Sequence, residues 1–139
     1  MSEREKIIKL WFAMWLNAKD MGIENIFCPN AVYIESWGPE YHGSAAIKHW
    51  FNEWNTRGKV VQWTIKQFIH ENRQTVVEWY FANQMNNSSQ ETFEGLSLIK
   101  WTADNHIYFL QEYGCNINRY DPYTNNNSVK VYSQQARWF

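Results

Sequence analysis

Hydrophobic residues recur at helical spacing in the first part of the chain. They are three or four positions apart, at Ile7, Leu10, Trp11, Met14 and Ala18. This spacing predicts a helix over residues 2–17, and Ser2 and Glu5 have the spacing of a capping box at its start. A second, short helix is expected near residues 20–27, because Pro29 disfavours helix in the residue before it.

A short strand is expected over residues 31–36. Its alternation places Tyr33 and Glu35 on the same face, and Gly38 and Pro39 end it.

A third helix is predicted to begin at Gly43 and Ser44 and to end before Gly58. Four apolar residues form its buried face, at Ile47, Trp50, Phe51 and Trp54. Their spacing is i, i+3, i+4 and i+7, which is that of a helix packed on a core.

After residue 58 the pattern becomes that of extended chain. Four segments rich in β-branched and aromatic residues are predicted strands, over residues 60–70, 75–84, 92–102 and 106–115. The separators are short and turn-like, so consecutive strands are expected to be antiparallel. The parity of the hydrophobic positions changes between Ile65 and Phe68, which predicts a β-bulge near Lys66 and Gln67.

Helices followed by long antiparallel strands indicate an α+β fold, in which a strongly bent antiparallel sheet wraps around three helices. Such a sheet encloses a cavity between itself and the helices. With 139 residues the chain is expected to be a single domain over residues 1–139, with a core of about 3–116 and an extension over 117–139. Residues 116–127 are predicted to form a loop, and residues 129–139 to return to the body of the domain.

Composition excludes several classes of protein. The 13 basic and 14 acidic residues leave a net charge of −1, so a nucleic-acid partner is not expected. No apolar stretch approaches the ~20 residues of a membrane span, and no secretory signal follows the charged first residues, so a cytoplasmic protein is expected. Cys28 and Cys115 are then expected to be reduced and buried. The four histidines lack metal-ligand spacing, so no metal site is predicted.

Three stretches carry a resemblance to a known family: AVYIESWG (31–38), HGSAAIKHWF (42–51) and FEGLSLIKW (93–101). Together with the order of elements they resemble the SnoaL-like branch of the nuclear transport factor 2-like superfamily. That branch includes polyketide cyclases, ketosteroid isomerase and limonene epoxide hydrolase. The resemblance implies a cystatin-like cone with an internal cavity, and it implies no cofactor.

The resemblance also assigns positions. Glu35 corresponds to the general-base carboxylate of the ketosteroid isomerases. Ser97 corresponds to their protonated Asp, so this sequence has a hydroxyl where those enzymes have a second acid. Glu112 lies on the last strand, in register with positions that face the cavity in the family.

Glu35 and Glu112 are therefore the predicted catalytic residues. A carboxylate in an aromatic cavity is desolvated, which raises its pKa toward the range useful for a general base. Glu35 is predicted to be the base and Glu112 to bind or polarise the substrate. The alternative is that both hold the cone together through a salt bridge or hydrogen bonds to Trp or Tyr.

Seven further residues are predicted to contact the substrate: Tyr33, Trp37, Tyr41, His42, Trp54, Trp63 and Ser97. Aromatic rings at most of these positions suit a small hydrophobic or aromatic molecule. For His42 the alternative is a surface or helix-cap histidine. Glu78 and Glu94 are expected to face outward.

Three functions remain open on the sequence. The first is a cofactor-free isomerase, lyase or hydrolase acting on a small hydrophobic substrate. The second is a non-catalytic protein that binds a metabolite in the same cavity. The third is an interaction module that forms a homodimer through the outer face of the sheet.

Overall fold

The computed structural model describes residues 2–124, which fold as three helices and one curled, unclosed six-stranded sheet. The helices are α1 (Glu3–Asn17), α2 (Ile23–Ile26) and α3 (Ser44–Arg57). The strands are β1 (Phe27–Ile34), β2 (Glu40–His42), β3 (Gly58–Glu71), β4 (Gln74–Met85), β5 (Gln90–Trp101) and β6 (Ile107–Cys115). This confirms the predicted α+β class. The predicted return of residues 129–139 lies outside the described residues.

Helix α1 begins with the predicted cap. The Ser2 hydroxyl accepts a hydrogen bond from the backbone N–H of Glu5 at 3.2 Å, which satisfies one of the free donors of the first turn. The helix ends at Ala18, which has left-handed backbone geometry (φ 51°). One face of α1 buries large side chains, including Trp11 and Trp15.

The strand order is β2-β1-β6-β5-β4-β3. Strands β3 to β6 pair as antiparallel neighbours, as their short separators predict. Strand β1 pairs with β6 in parallel, with Tyr33 opposite Leu110 and Ile34 opposite Gln111. The sequence pattern did not predict this pairing, which joins strands more than seventy positions apart in the chain. It brings the end of β1 next to the middle of β6.

Strand β3 contains the predicted bulge. Its register against β4 shifts between Ile65 and Gln67, and a further shift occurs between Val60 and Gln62. An extra residue on one strand bends it and increases its twist. The two shifts therefore help the sheet to curl around the helices.

The core is rich in aromatic side chains, and two of its largest, Trp79 and Trp101, have indole N–H groups that are hydrogen-bonded within the sheet. Trp79 is 1% exposed and donates through Nε1 to the Ser97 hydroxyl at 2.9 Å. Trp101 is fully buried and donates in the same way to Thr75 at 2.9 Å. Full burial of a large apolar side chain stabilises the fold by about 2–3 kcal/mol, provided that its polar atom has a partner.

Some local expectations need correction. Cys115 is exposed rather than buried, while Cys28 is half-buried, and both are free thiols. Helix α2 is limited to four residues because Gly22, with φ 115°, precedes it. Strand β2 was not predicted, since Pro39 marks its start as a turn. Within residues 2–124, no helix is both long and apolar enough to cross a bilayer.

Candidate functional site

A cavity of about 240 Å³ lies between helices α1 and α3 and the concave face of the sheet. We call it the aromatic cavity, since eight of the fourteen residues within 2–124 that line it are Trp or Phe. The lining residues are Trp15, Glu35, Trp37, Trp50, Trp54, Val60, Trp63, Trp79, Phe81, Asn83, Met85, Glu91, Phe93 and Glu112. A cavity of ~150 Å³ already accommodates benzene, so this one is large enough for a small organic molecule.

Glu35 reaches the cavity from the turn that follows β1. Its backbone N–H donates to the Pro39 carbonyl at 2.9 Å, and Gly38, with φ 115°, allows the tight turn between them. Its carboxylate accepts a hydrogen bond from the Tyr41 hydroxyl at 2.6 Å. Burial raises the pKa of the Glu35 carboxyl, while the Tyr41 hydrogen bond and the positive charge of Arg57 oppose that rise.

Glu112 reaches the same cavity from β6. Its Oε2 accepts a hydrogen bond from the Tyr33 hydroxyl at 2.7 Å, and that hydroxyl accepts one from Trp11 Nε1 at 3.4 Å. Burial raises the pKa of the Glu112 carboxyl to about 8; the Tyr33 hydrogen bond opposes this and the negative charge of Glu35 adds to it. Glu112 is therefore mostly protonated at neutral pH. Since Tyr33 occupies Oε2, the other oxygen is left to carry the proton.

The two carboxyl groups differ in how readily they ionise. Glu35 has both a hydrogen-bond donor and a nearby guanidinium, Arg57, to favour its charged form. Glu112 has a donor but also feels the like charge of Glu35. The surroundings of Glu35 therefore favour its ionised form more than the surroundings of Glu112 do.

The indole N–H groups of two tryptophans that line the cavity have no oxygen or nitrogen acceptor in the described part of the chain. Trp15 and Trp63 are 3% and 7% exposed, and within residues 2–124 neither Nε1 donates to an oxygen or nitrogen. Both rings have neighbours at steep angles, such as Trp54 against Trp15 at 79° and Phe81 against Trp63 at 87°. The amide oxygen of Asn83, which is 8% exposed, also accepts no hydrogen bond in this part of the chain.

The mouth of the cavity is at Trp37. This side chain is 57% exposed, and its ring packs edge-on against Phe93 with centroids 4.9 Å apart. Trp37, Glu91 and Phe93 also line a shallower, more polar depression beside the cavity. A molecule entering from solvent would therefore pass these three residues first.

The structure places five of the predicted site residues on the cavity: Glu35, Trp37, Trp54, Trp63 and Glu112. Two others lie behind the carboxylates rather than on the lining. Tyr33 is fully buried and donates to Glu112, whereas Tyr41 donates to Glu35 and stacks on Trp50 at 4.5 Å. These tyrosines orient the two acids.

The remaining two predicted contacts are outside the lining. Ser97 is 1% exposed and its hydroxyl is the acceptor for Trp79. The His42 side chain is 69% exposed and pairs with Glu40 at 2.7 Å on the surface. Glu94 lies on the outer face, as expected, where it binds Lys66 at 2.7 Å.

Sequence reasoning missed several lining residues, most of them on β4 and β5. Trp79, Phe81 and Asn83 alternate along β4, and Phe93 lies directly opposite Phe81 on β5. The apolar alternation along β4 was the available signal, because residues two apart share a face. Trp15 of α1, which was not among the predicted contacts, both packs in the core and borders the cavity.

No three His, Cys, Asp or Glu side chains are grouped as metal ligands within residues 2–124. Separately, the aromatic enclosure contains two carboxyl groups whose pKa values are raised by burial. Such a pair can take a proton at one point and give one at another.

A curled, unclosed sheet that wraps over helices around a cavity defines a cone-shaped α+β protein. The sequence profile of the SnoaL-like domain family matches residues 8–109, and the chain belongs to that family. The predicted resemblance is thereby confirmed. No protein of curated function shows significant sequence similarity to it.

Solved structures share the fold at low sequence identity. A putative isomerase from Bacillus subtilis superimposes with a TM-score of 0.71 at 17% identity, covering 83% of this chain and 90% of that one. An epoxide hydrolase of M. tuberculosis, similar to limonene epoxide hydrolase, superimposes with a TM-score of 0.71 at 12% identity. The match covers 81% of this chain and 83% of that one. A steroid delta-isomerase from Pseudomonas aeruginosa superimposes with a TM-score of 0.60 at 13% identity, covering 84% of this chain and 82% of that one. The proteins that share this fold therefore include isomerases and an epoxide hydrolase.

Proposed function

We propose that the protein is a cofactor-free acid–base enzyme, an isomerase, lyase or hydrolase, that acts on a small molecule held in the aromatic cavity. Glu35 is the general base and Glu112 the general acid. The observation that carries the proposal is the presence, on one aromatic enclosure, of two carboxyl groups whose pKa values burial raises and whose charged forms are favoured by different neighbours.

The proposed step moves one proton on and one proton off the substrate. The Glu35 carboxylate removes a proton bound to carbon next to a carbonyl, and the electron pair of that C–H bond forms the new C=C bond. The carbonyl electrons move to oxygen, where the neutral Glu112 donates a hydrogen bond or its proton. Glu35 then delivers its proton to a different carbon of the enol, the carbonyl re-forms as the oxygen returns its proton to Glu112, and both acids regain their starting states.

Tyr41 and Tyr33 are positioning residues in this scheme. Each donates its hydroxyl to one oxygen of its carboxyl group, which leaves the other oxygen for the substrate. Burial raises the pKa of Tyr33 well above its ordinary value, so it stays a donor across the working pH range. The aromatic lining excludes water and suits a flat apolar body.

The test uses 5-nitrobenzisoxazole, a neutral aromatic probe that opens when one carbon-bound proton is removed. The C–H electrons form the nitrile, the N–O bond breaks, and a coloured phenolate is released. Wild-type protein is expected to accelerate this opening, and Glu35→Gln to lower the rate by about 100-fold or more. Wild-type and Glu35→Gln rates that are equal would overturn the assignment of Glu35.

The pH profile tests Glu112 in the same assay. The wild-type rate is expected to rise as Glu35 ionises and to fall near pH 8, where Glu112 loses the proton that stabilises the leaving oxygen. Glu112→Gln should remove the fall. Glu78→Gln is the matched control, because Glu78 binds Gln67 on the outer face of the sheet.

We further propose that the outer face of the sheet forms a homodimer. On this face Ile69, Val76 and Leu98 are paired across three strands, and Leu96 is paired with Tyr113. Leu96 and Tyr113 are 41% and 50% exposed, which is unfavourable in water.

A cytoplasmic location stays a prediction.

Sedimentation equilibrium tests the dimer. Wild-type protein is expected to sediment as a dimer and Leu96→Lys as a monomer. Leu10→Lys, a change at a comparably exposed leucine on α1, should leave the dimer intact. A monomeric wild type would contradict the proposal.

A further inference from the structure

The lining of the aromatic cavity contains acids without bases. Among the lining residues within 2–124, Glu35, Glu91 and Glu112 are the charged ones, and none is Lys, Arg or His. Within residues 2–124 none of these three glutamates forms an ion pair. Glu35 and Glu112 have tyrosine partners and a place in the proposed chemistry, whereas Glu91 has neither.

Glu91 belongs to a distinct group of side chains at the outer end of the cavity. It lies directly opposite Asn83 across the β4–β5 pair, and two residues further along both strands Phe81 lies opposite Phe93. All four line the cavity, and Trp37 packs edge-on against Phe93 beside them. We call these five residues the outer subsite.

Asn83 supplies an independent indication that the outer subsite has a ligand. Its side chain is 8% exposed and lines the cavity, yet its Oδ1 accepts no hydrogen bond from the described part of the chain. A buried amide oxygen without a donor costs about 1–3 kcal/mol. A ligand with positive charge or a donor hydrogen would remove that cost.

The groups of the outer subsite all favour a ligand with positive charge. The Glu91 carboxylate and the Asn83 carbonyl are negative, and the faces of Trp37, Phe81 and Phe93 carry the negative part of the aromatic quadrupole. A cation within ~6 Å of such rings is attracted by each of them, most strongly by tryptophan. Glu91 is exposed, so water solvates its carboxylate, and an anion at this subsite would be repelled by it while a cation would be attracted.

We propose that the outer subsite binds the cationic head of the substrate, a compact organic ammonium such as a methylated amine. The inference rests on the proposed function, because it places the rest of the same molecule between Glu35 and Glu112. The substrate class is thus an organic cation whose reacting part is neutral and lies deeper in the cavity. Trp37, at the mouth, would lie across the ammonium group from Glu91.

Choline and 3,3-dimethylbutan-1-ol provide the test, since they have the same shape and differ by the charge on one central atom. Binding of each to the full-length protein is measured by isothermal titration at constant ionic strength, because salt screens exposed charge. Choline is expected to bind at least about tenfold more tightly than the alcohol, which corresponds to ~1.4 kcal/mol. Equal affinities, or no binding of choline, would overturn the inference.

Three variants locate the site. Glu91→Gln should weaken the binding of choline several-fold and leave the binding of the neutral alcohol unchanged. Glu78→Gln, on the outer face, should change neither affinity. Trp37→Leu should weaken the binding of choline, and Trp37→Phe should retain most of the affinity, since phenylalanine still has an aromatic ring face. Trp37 is exposed, so neither change threatens the core.

These outcomes are separable from those of the proposed function. Choline that binds equally well to wild type and Glu91→Gln would refute the outer subsite. Ring opening of 5-nitrobenzisoxazole, which is neutral, would still report on Glu35. Loss of ring opening with intact choline selectivity would refute the catalytic proposal and leave the cation site standing.

Discussion

Replacing Glu112 by Gln should change how the stability of the protein depends on pH. The Glu112 carboxyl has a pKa of about 8 in the folded protein, against an ordinary value of 4.5. As the pH rises above 4.5 the unfolded chain loses this proton while the folded chain keeps it. The free energy of unfolding therefore falls with pH until about pH 8 and then levels off.

The size of the effect follows from the two pKa values. Each pH unit between them costs ~1.4 kcal/mol, and the slope flattens near each end. Between pH 5 and pH 8 this single group is expected to reduce stability by about 3–4 kcal/mol. That is a large share of the 5–15 kcal/mol, roughly, that stabilises a typical domain.

Glutamine has the shape of protonated glutamic acid and does not ionise, and its oxygen can still accept the Tyr33 hydrogen bond. Urea unfolding of wild type and Glu112→Gln at pH 5, 6, 7 and 8 gives the difference directly. From pH 5 to pH 8 the free energy of unfolding of the variant should rise by about 3–4 kcal/mol relative to that of the wild type. At pH 8 the variant should be the more stable protein. Glu78→Gln is the control. Parallel curves for wild type and Glu112→Gln would show that Glu112 ionises freely in the folded state, and would refute the reasoning.

Three further changes have definite expected outcomes. Tyr41→Phe removes the hydroxyl that lowers the pKa of Glu35, so the rising limb of the ring-opening profile should move up by about one pH unit, as a pH–rate series would show. Ser97→Ala leaves the Trp79 indole N–H without an acceptor and should cost about 1–3 kcal/mol in urea unfolding. Gly95→Ala introduces a methyl group that meets a carbonyl of β6 and the ring of Trp79, and should lower the melting temperature, with a cost of about 1–3 kcal/mol or more.

Local chemistry made much of the fold predictable. The Ser2 cap of α1 depends on residues three apart, and the bulge between Ile65 and Gln67 on a change of parity within one strand. Both signals involve neighbours in the chain. The antiparallel order of β3 to β6 follows from short turns, which leave adjacent strands no other arrangement.

The features that escaped prediction depend on distant contacts. The parallel pairing of β1 with β6 brings Tyr33 beside Glu112, and no local pattern records which strands meet. The family resemblance placed Glu35 at the cavity, but the donor Tyr41 comes from β2, a three-residue strand that the Gly38-Pro39 turn signal concealed. His42 was expected near the site because it precedes α3, and its side chain turns to solvent.

The lining residues of β4 and β5 show the same limit. Trp79 and Phe81 have the alternation of a buried strand face, which is equally typical of core and of cavity wall. Whether a buried face meets another side chain or a void depends on the packing of α1 and α3 over it. That is a property of the assembled domain.

The central claim is that Glu35 and Glu112 share one cavity with unequal affinity for protons. Titration of the side-chain carboxyl carbons of the two residues, followed by NMR in protein labelled with ¹³C-glutamate and assigned with the Gln variants, measures it most directly. The account predicts that Glu35 ionises first and that Glu112 keeps its proton until about pH 8. Ionisation of both carboxyl groups near the ordinary value of 4.5 would contradict it.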